Sequence, residues 1–593
     1  MSRLRILSML ITVVAMLATA KVVRAEKTAA EMLPASTLAY MEINQPKDLI
    51  PLLLDHPLRK DIEQSAAFRQ AIANPGFKKF QEVVALIEQR AGVEWRPALE
   101  QIGGDQLVIA FEPLTQGVVM LAKPSDMKTA DSVREALFSL ARDDATQHGK
   151  PDPVEAKTYR GLKAYHMGEA IVADLGPWLM ISNKKGLAQH VADAFLDGGA
   201  ALAGEAQFAA ARKLAAGAAP SAWAFVRIAP LRLLAHQPWL DPKYKSDNAG
   251  AEFILGGLIP IAQNAPYVTT SLWLDRGGLK LAVAAPYDAS WVPADRKFFF
   301  APPGDGAAKP LKPADAMLSV TTYRDISAMW QAGPDLFTEA VATQMAQTDS
   351  SLSNLFGGKS FSADVLGAFK PQIQFVAAKQ DFAGPGRKPS MRLPGAALIF
   401  EIKPERFEAI RKHFRVGFQT AIALGNLDGA QKGRPLLEMQ TETRGKSEIQ
   451  YAVYTNDEPA KDGKTAKPAT EDAYLNFSPA LAISSSHMIL SSTRQLAERL
   501  ADLDGKQDGA ATIAENTLVQ LNPQSAAELI QANREQLIAQ NMLKKGHDRA
   551  AAEKEIDLLR AIVGYFRDAS VRLIPGSDSV RLEAELKMMT PGK

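Results

Sequence analysis

The feature that most constrains the fold of this chain is an internal repeat, in which short patterns of the first half return in order in the second. The clearest pair is the apolar segment 178–182 (Trp-Leu-Met-Ile-Ser), which returns at 487–491 (His-Met-Ile-Leu-Ser), 309 residues later. The residues that follow stay in register, with Leu187 matching Leu496. The repeat predicts two halves built on one scaffold.

Other segments match in the same order along the chain. They are 33–41 with 312–320, 102–111 with 366–376, 118–124 with 398–404, 159–161 with 443–445, 224–226 with 518–519, and 279–283 with 580–584. The alternative interpretation is that two ordinary α+β halves share generic strand and helix patterns.

Short apolar strands separated by turns predict hairpins and therefore antiparallel sheet, and amphipathic helices lie between them. Apolar residues at helical spacing are Val133, Leu137 and Leu140 in the first half, Phe407, Ile410 and Phe414 in the second, and Phe77, Phe80, Val84 and Ile87 in an early helix over 76–90. The predicted fold class is α+β, with two tandem repeated halves, each an antiparallel sheet built from hairpins with helices packed on it.

The domain boundaries follow from changes in composition. We expect a first α+β repeat over 26–300, a Pro/Gly-rich linker over 301–313 and a second repeat over 314–593. The second repeat has insertions at 380–394 and 455–472. It also carries helices, which we place at 525–545 and 548–567, separated by Gly546.

The first 25 residues have the pattern of a secretory signal peptide: Arg3 and Arg5 precede an uncharged apolar stretch that is too short to span a bilayer. Small residues suit cleavage after Ala20 or Ala25. No later stretch reaches the length of a membrane span, and 253–261 is short and contains a proline. We expect an exported protein, periplasmic or extracellular.

The chain has no cysteine, which excludes disulfides, thiolate zinc sites, iron–sulfur clusters and a cysteine nucleophile. The formal charge of +2 includes four basic residues of the leader, so the chain after Ala25 carries −2. No long basic run with interleaved aromatic residues occurs, and we expect no nucleic-acid partner.

One serine motif is a candidate for catalytic chemistry. Ser182-Asn183-Lys184-Lys185 followed by Ser246-Asp247-Asn248 has the order found in penicillin-recognising enzymes, but Lys-Thr-Gly is missing and the nearest string is Lys464-Thr465-Ala466. Ser182 matches Ser491 just before a helix, so we interpret both as helix N-caps. A second Ser-x-x-Lys string runs from Ser125 to Lys128, and we interpret Ser125 in the same way, as a helix N-cap. A serine hydrolase using Ser182 and Lys185 stays as the alternative.

Metal and cofactor chemistry find no support in the sequence. The histidines are scattered without a ligand motif, and we take all of them as solvated or half-buried. They are His56, His148, His166, His190, His236, His413, His487 and His547. Arg160 and Arg444 recur at matching turns, where Gly161 and Gly445 favour a structural reason. We assign no catalytic, cofactor or metal residue, and no cofactor.

Three segments together resemble exported bacterial proteins grouped as domain of unknown function 3352. They are the strand 33–40 (Leu-Pro-Ala-Ser-Thr-Leu-Ala-Tyr), the turn at 159–161 leading into the hairpin 171–182, and 202–208 before the strand 223–226. The resemblance implies export and an α+β repeat, and it carries no activity.

The sequence therefore favours a bilobal, non-enzymatic binding or scaffolding component of the cell envelope. Its partner would be an envelope protein or a small ligand. A periplasmic carrier of an apolar, lipid-like ligand is the alternative among binding proteins.

Overall fold

The computed structural model describes residues 26–64, 66–215, 217–383, 388–431, 435–455, 472–506 and 511–589. The predicted signal peptide, most of 455–472 and part of 380–394 lie outside these residues. Helices and antiparallel strands are mixed along the described chain, which confirms the predicted α+β class.

The helices and strands are numbered in chain order. The helices are α1 (Ala29–Met32), α2 (Pro46–Leu54), α3 (Leu58–Glu63), α4 (Ala66–Ile72), α5 (Pro75–Ala91), α6 (Trp95–Gly103), α7 (Met127–Gln147), α8 (Lys185–Asp197), α9 (Ala206–Leu214), α10 (Ile228–Ala235), α11 (Ala249–Leu255), α12 (Leu258–Asn264), α13 (Ile326–Gln331), α14 (Gly333–Leu336), α15 (Glu339–Leu355), α16 (Phe407–Gln431), α17 (Arg494–Asp504), α18 (Pro523–Ala532), α19 (Arg534–Lys545) and α20 (Arg549–Gly564). The strands are β1 (Ala39–Asn44), β2 (Gln106–Glu112), β3 (Gly117–Lys123), β4 (Val154–Tyr159), β5 (Leu162–Met167), β6 (Ala170–Leu175), β7 (Trp178–Ser182), β8 (Ala222–Arg227), β9 (Tyr267–Asp275), β10 (Gly278–Pro286), β11 (Ala316–Tyr323), β12 (Phe369–Ala378), β13 (Gly395–Ile402), β14 (Leu437–Arg444), β15 (Ser447–Tyr454), β16 (Ala480–Ile483), β17 (His487–Ser491), β18 (Thr517–Leu521), β19 (Phe566–Pro575) and β20 (Ser579–Met588).

The chain divides into two compact units. Unit 1 holds the residues up to Leu38 together with 108–122 and 141–209, and unit 2 holds 39–107, 123–140 and 210–593. This division by compactness does not follow the boundary near residue 301, so the domain boundaries stay a prediction.

In unit 1 the strands follow the order β2–β3–β7–β6–β5–β4. Helix α8 packs on β6 and β7 through Leu187 and Val191, which are fully buried. Leu179 and Met180 are buried at consecutive positions of β7. Both faces of β7 are therefore covered, since neighbouring residues of a strand point to opposite faces.

In unit 2 one antiparallel run includes strands from both ends of the chain. Its order is β1–β8–β9–β10–β20–β19–β18–β11–β12–β13–β17–β16–β15–β14. Strand β10 pairs with β20 from Gly278 opposite Lys587 to Pro286 opposite Ser579.

Strand pairings recur between strands ten places apart. In the first half β1–β8, β8–β9, β9–β10, β2–β3, β3–β7, β6–β7, β5–β6 and β4–β5 are paired, and each pairing has its counterpart in the second half. The origin of the chain from two copies of one scaffold stays a prediction.

The segment predicted as a linker is packed into unit 2. Ala307, Ala308 and Leu311 are buried, and Ala307 exchanges backbone hydrogen bonds with Ile513 and Glu515 at 2.8 and 2.9 Å. This Pro/Gly-rich segment is therefore packed against its neighbours and is not a flexible linker.

A buried arginine holds the start of the second half in place. Arg324 donates from Nε to the carbonyl of Phe253 at 2.7 Å and from Nη1 to Asn516 Oδ1 at 2.7 Å, and its guanidinium carbon lies 3.4 Å from the centre of the Phe299 ring. Burial lowers the pKa of Arg324 to about 9, so the group is still charged at neutral pH. Carbonyls at the end of α11 stabilise this cation, because a helix C-terminus is negative.

We predict that Arg324→Met lowers the free energy of unfolding by about 3 kcal/mol, because it leaves several buried carbonyls without a donor. Urea unfolding checks this. Arg276→Met, at an exposed hairpin turn, serves as the control and should change stability by less than about 0.5 kcal/mol. Equal effects of the two substitutions would contradict the assigned role of Arg324.

Candidate functional site

A cleft of about 280 Å³ lies in unit 2 between the described residues of the segment 379–393 and helix α18. Its lining combines basic and apolar side chains. The lining residues are Lys379, Gln380, Asp381, Phe382, Ala383, Lys388, Arg392, Leu393, Leu529 and Ala532. Most of them belong to the predicted insertion 380–394, which the first half lacks.

Two buried asparagines hold the backbone of this insertion. Asn533 accepts from the Arg392 amide and donates to the Arg392 carbonyl, both at 2.8 Å. Asn476 accepts from the Leu393 amide at 2.8 Å and donates to the Met391 carbonyl at 3.0 Å. Because each amide satisfies backbone groups that would otherwise be unpaired, residues 391–393 have a defined conformation.

The same Asn533 corrects a sequence prediction. A single helix over 525–545 was expected, but α18 ends at Ala532 and α19 begins at Arg534. The predicted helix 548–567 is also shorter, since α20 ends at Gly564 and β19 begins at Phe566. The break at Asn533 lets its side chain turn to the insertion instead of facing solvent on a continuous helix.

The cationic side chains of the cleft differ in their partners. Lys379 forms an ion pair with Glu528 at 3.0 Å. Lys388 and Arg392 have no ion-pair partner among the described residues, and the Arg392 guanidinium lies 6.0 Å from the centre of the Phe382 ring. Leu393 and Leu529 provide apolar surface beside them. Lys388 and Arg392 face one lining carboxylate, Asp381, so the cleft offers a net positive charge next to an apolar wall.

A second cleft, of about 480 Å³, lies at the junction of α18 and α19 and shares Ala532 with the first. Polar side chains dominate its lining. They are Ser390, Gln531, Asn533, Arg534, Glu535 and Gln536. We treat the first cleft as the candidate site, since only that one combines charge with an apolar wall.

The serine of the predicted hydrolase motif is buried and engaged in a turn. The Ser182 hydroxyl accepts from the Lys184 amide at 3.3 Å and lies 3.2 Å from the Val118 carbonyl. It makes no hydrogen bond with Lys185, which is exposed, in the described structure. The structure therefore does not bring the proposed nucleophile and base together.

The N-cap interpretation of these serines is wrong in detail. Helix α8 has Lys184 at its N-cap, and α17 is capped by Thr493, whose hydroxyl accepts from the Leu496 amide. Ser491 accepts from the Thr493 amide at 3.2 Å, which is the bond that Ser182 makes with Lys184. Each serine lies two residues before the N-cap and accepts from the amide of the N-cap residue.

The other motif residues also have structural roles. Ser246 is buried and bonds through its backbone to Leu336 and Thr338, and Asn248 caps α11 by accepting from the Ala251 amide. At the second serine motif, Asp126 and not Ser125 accepts from the first free amides of α7. The N-cap prediction for Ser125 is therefore also wrong.

Arg160 and Arg444 form matching ion pairs with the helix that follows each hairpin. Arg160 contacts Asp193 at 2.7 Å within unit 1, and Arg444 contacts Asp502 at 2.7 Å within unit 2. The two aspartates are themselves 309 residues apart. These recurrent arginines therefore attach a hairpin turn to a helix.

One histidine corrects the prediction that all are solvated or half-buried. His487 is buried, and its Nδ1 lies 2.7 Å from Asp504 Oδ1 and 3.1 Å from Ser486 Oγ. Burial alone would raise the pKa of Asp504, but hydrogen bonds from His487 and the serines of this turn outweigh it and lower the pKa. The other histidines are exposed or half-buried, as predicted.

The His487–Asp504 pair has the relative arrangement of a catalytic dyad but lacks a nucleophile. No hydrogen bond reaches His487 Nε2 in the described structure, and Ser486 lies on the Nδ1 side, where it cannot be activated by Nε2. The matching positions in the first half are Trp178 and Phe195, so the shared scaffold does not require a polar pair here. Sequence motifs could not reveal it, because His487 and Asp504 are 17 residues apart with no signature.

The described residues offer neither a metal centre nor a membrane span. Among them, no cluster of three or more histidine, aspartate or glutamate side chains could hold a metal ion. None of the described helices combines the length and apolar composition needed to cross a bilayer.

Comparison with known proteins adds little to this geometry. No protein-family model matches the chain. A search of curated proteins finds no significant match. Solved structures that match include crystal forms III, IV and I of TP0453, with 10%, 7% and 10% sequence identity and TM-scores of 0.23, 0.24 and 0.22. They cover 44% of this chain and 80%, 82% and 79% of the matched chains. TM-scores this low carry no argument about fold or function.

We predict that Asp504→Asn lowers the free energy of unfolding at neutral pH by about 1.5–3 kcal/mol, since it weakens a buried charge-assisted hydrogen bond. The pKa of Asp504 is lower in the folded than in the unfolded protein, so the stabilisation is present above about pH 4 and is lost as the pH falls below that value.

Urea unfolding of the two proteins between neutral pH and about pH 3 measures this difference. Asp502→Asn, in an exposed ion pair, is the matched control and should cost no more than about 1 kcal/mol. A difference between wild type and Asp504→Asn that does not shrink in acid would contradict the charge-assisted bond.

Proposed function

We propose that the protein is a non-enzymatic binding component of the cell envelope, exported to the periplasm or beyond, and that the cleft between 379–393 and α18 binds its ligand. The observation that carries the proposal is the pair of unpaired cations, Lys388 and Arg392, beside the apolar side chains Leu393 and Leu529. Asn533 and Asn476 hold the backbone that presents them.

The chemistry of the cleft indicates the class of ligand. Two cations without an acidic partner favour an anion, and an Arg guanidinium suits a carboxylate or phosphate. Adjacent apolar surface favours a ligand that carries a hydrocarbon group beside its charge. We therefore infer a small anionic amphiphile, of which the cleft takes the charged end and the first part of the chain.

Export and family membership belong to the same proposal. They are supported by the basic and apolar pattern of residues 1–25 and by the resemblance to domain of unknown function 3352. Sequencing the N-terminus of protein recovered from the exported fraction would test cleavage after Ala20 or Ala25.

The two alternatives have less support in the geometry. A carrier of an apolar ligand needs an enclosed apolar cavity, whereas both clefts are open and bordered by charged side chains. A hydrolase using Ser182 and Lys185 needs a free hydroxyl within reach of a base, whereas Ser182 is buried in a turn.

We predict that decyl phosphate, a phosphate on a short hydrocarbon chain, binds to the full chain and that Arg392→Gln weakens this binding by about tenfold to a hundredfold. The range corresponds to the loss of one charge-assisted hydrogen bond. Isothermal titration calorimetry measures the affinity of decyl phosphate for wild type and for Arg392→Gln. Inorganic phosphate and decanol, titrated separately, probe the charged part and the hydrocarbon part of the ligand.

Lys544→Gln, an exposed lysine of α19 with no ion pair among the described residues, is the matched control and should leave the affinity unchanged. Failure of decyl phosphate to bind, or equal effects of the Arg392 and Lys544 substitutions, would reject the cleft as the ligand site.

A further inference from the structure

Helix α5 exposes an apolar face. It begins after Asn74, whose side chain accepts from the Gly76 amide at 2.8 Å, and ends at Gly92 in a left-handed conformation. The predicted stripe is present, but no residue of this helix is buried. Phe80 is 62% exposed and Val83 49% exposed. We call Phe77, Phe80, Val83, Val84 and Ile87 the α5 face.

Helix α15 in the second half has the same length as α5 but is covered on one side. Met345 of α15 is buried in a core with Leu336 and Phe337, and Val341 and Ala342 pack against the same core. A helix of this length can therefore be covered by its own unit, and α5 is not. Full burial of a Phe or Val side chain is worth about 1.5–3 kcal/mol, so a partner for the α5 face would gain substantially.

The charges beside the α5 face indicate what covers it. Lys78 and Lys79 are exposed and form no ion pair within the described residues. With about 3.6 residues per turn, Lys79 lies at the edge of the α5 face and Lys78 on the opposite, polar side of the helix. Residues 66–91 hold four basic and two acidic side chains, so α4 and α5 together have a positive net charge, although the chain after Ala25 carries −2.

An aromatic residue extends the exposed surface. Trp95 starts α6, is tied to α5 through Glu88, and is 47% exposed. Tryptophan is enriched where a protein meets the headgroup region of a bilayer, because its ring is apolar and its N–H is polar.

We propose that the α5 face binds the surface of an anionic lipid bilayer, with the phenylalanines at the acyl boundary, Lys79 at the headgroups, and Lys78 on the polar side of the helix, where it adds to the attraction of the charged surface. An exposed amphipathic helix with aromatic residues on one side and unpaired lysines is the arrangement that such surfaces bind. A second copy of the chain is the competing occupant of the α5 face, and the sedimentation experiment below separates it from a bilayer.

Co-sedimentation of the full chain with two kinds of vesicle tests this. We expect binding to mixed phosphatidylcholine–phosphatidylglycerol vesicles, weak binding to phosphatidylcholine vesicles, and loss of binding at high salt. Lys78→Glu with Lys79→Glu should weaken binding to the mixed vesicles at least about tenfold, since each lysine near such a surface is worth about 1 kcal/mol. Phe80→Ser should weaken it about tenfold, through the loss of buried apolar area.

Matched controls lie on exposed helices elsewhere in unit 2. Leu543→Ser on α19 replaces a side chain that is 86% exposed, and Lys544→Glu with Lys554→Glu reverses two lysines that form no ion pair in the described structure. These variants should keep wild-type binding to vesicles. Circular dichroism should be unchanged in all of them, since the altered side chains are exposed.

Three results would overturn the proposal. The first is absence of binding to the mixed vesicles, and the second is equal binding by wild type and the α5 variants. The third is a dimer in sedimentation equilibrium that Phe80→Ser disrupts in the absence of vesicles, which would assign the α5 face to a second copy. The cleft is tested by titration of decyl phosphate into wild type and Arg392→Gln, so the two proposals fail separately.

Discussion

The arrangement of unit 2 depends on the pairing of β10 with β20. This pairing joins a strand in the middle of the chain to the last strand, so roughly 300 residues form the loop that it closes. Closing such a loop costs on the order of 5 kcal/mol of entropy. The backbone bonds along Gly278–Pro286 and the ion pair of Lys280 with Glu583 at 3.1 Å offset that cost. Because β20 pairs with β19, β19 with β18, and β18 with β11, the register of the final strand sets the position of the strands after residue 316.

Buried cations then attach the connecting segment to this sheet. Arg296 donates to Glu252 at 2.7 Å with both side chains almost completely buried, and Arg324 bonds the carbonyls that follow Glu252 in α11. Removing a charge from water is expensive unless its hydrogen bonds are replaced, and here carboxylate and carbonyl oxygens replace them. The geometry of 298–325 therefore comes from a polar core as well as from apolar packing, in a protein that has no disulfide.

Much of the fold could be predicted from the sequence because it depends on short-range patterns. Apolar spacing identified α5, α7 and α16, and the Arg-Gly turns at 160–161 and 444–445 marked hairpins. The exposure of the α5 face could not be predicted, since periodicity shows which side of a helix is apolar and not what covers it. The His487–Asp504 pair and the cleft depend on contacts between distant segments. The helix break at Asn533 was missed because a single asparagine in a helical pattern is a weak signal, and its bonds to Arg392 join segments 141 residues apart.

The strand pairings that recur in the two halves do not explain the side chains of either proposed binding surface. The insertion that forms the cleft separates β12 from β13, whereas a short turn separates β2 from β3. Helix α5 leaves apolar side chains in solvent, whereas α15, a helix of the same length, buries Met345. Folding alone favours buried apolar residues and paired charges. Exposing apolar residues or leaving charges unpaired lowers the free energy of unfolding or the solubility of the protein. The cleft keeps cations without ion pairs on a loop held by Asn476 and Asn533, and α5 keeps phenylalanines in solvent near unpaired lysines. Both features lower the stability or solubility of the isolated chain. A bound ligand in the cleft and a bound bilayer at α5 would offset that loss.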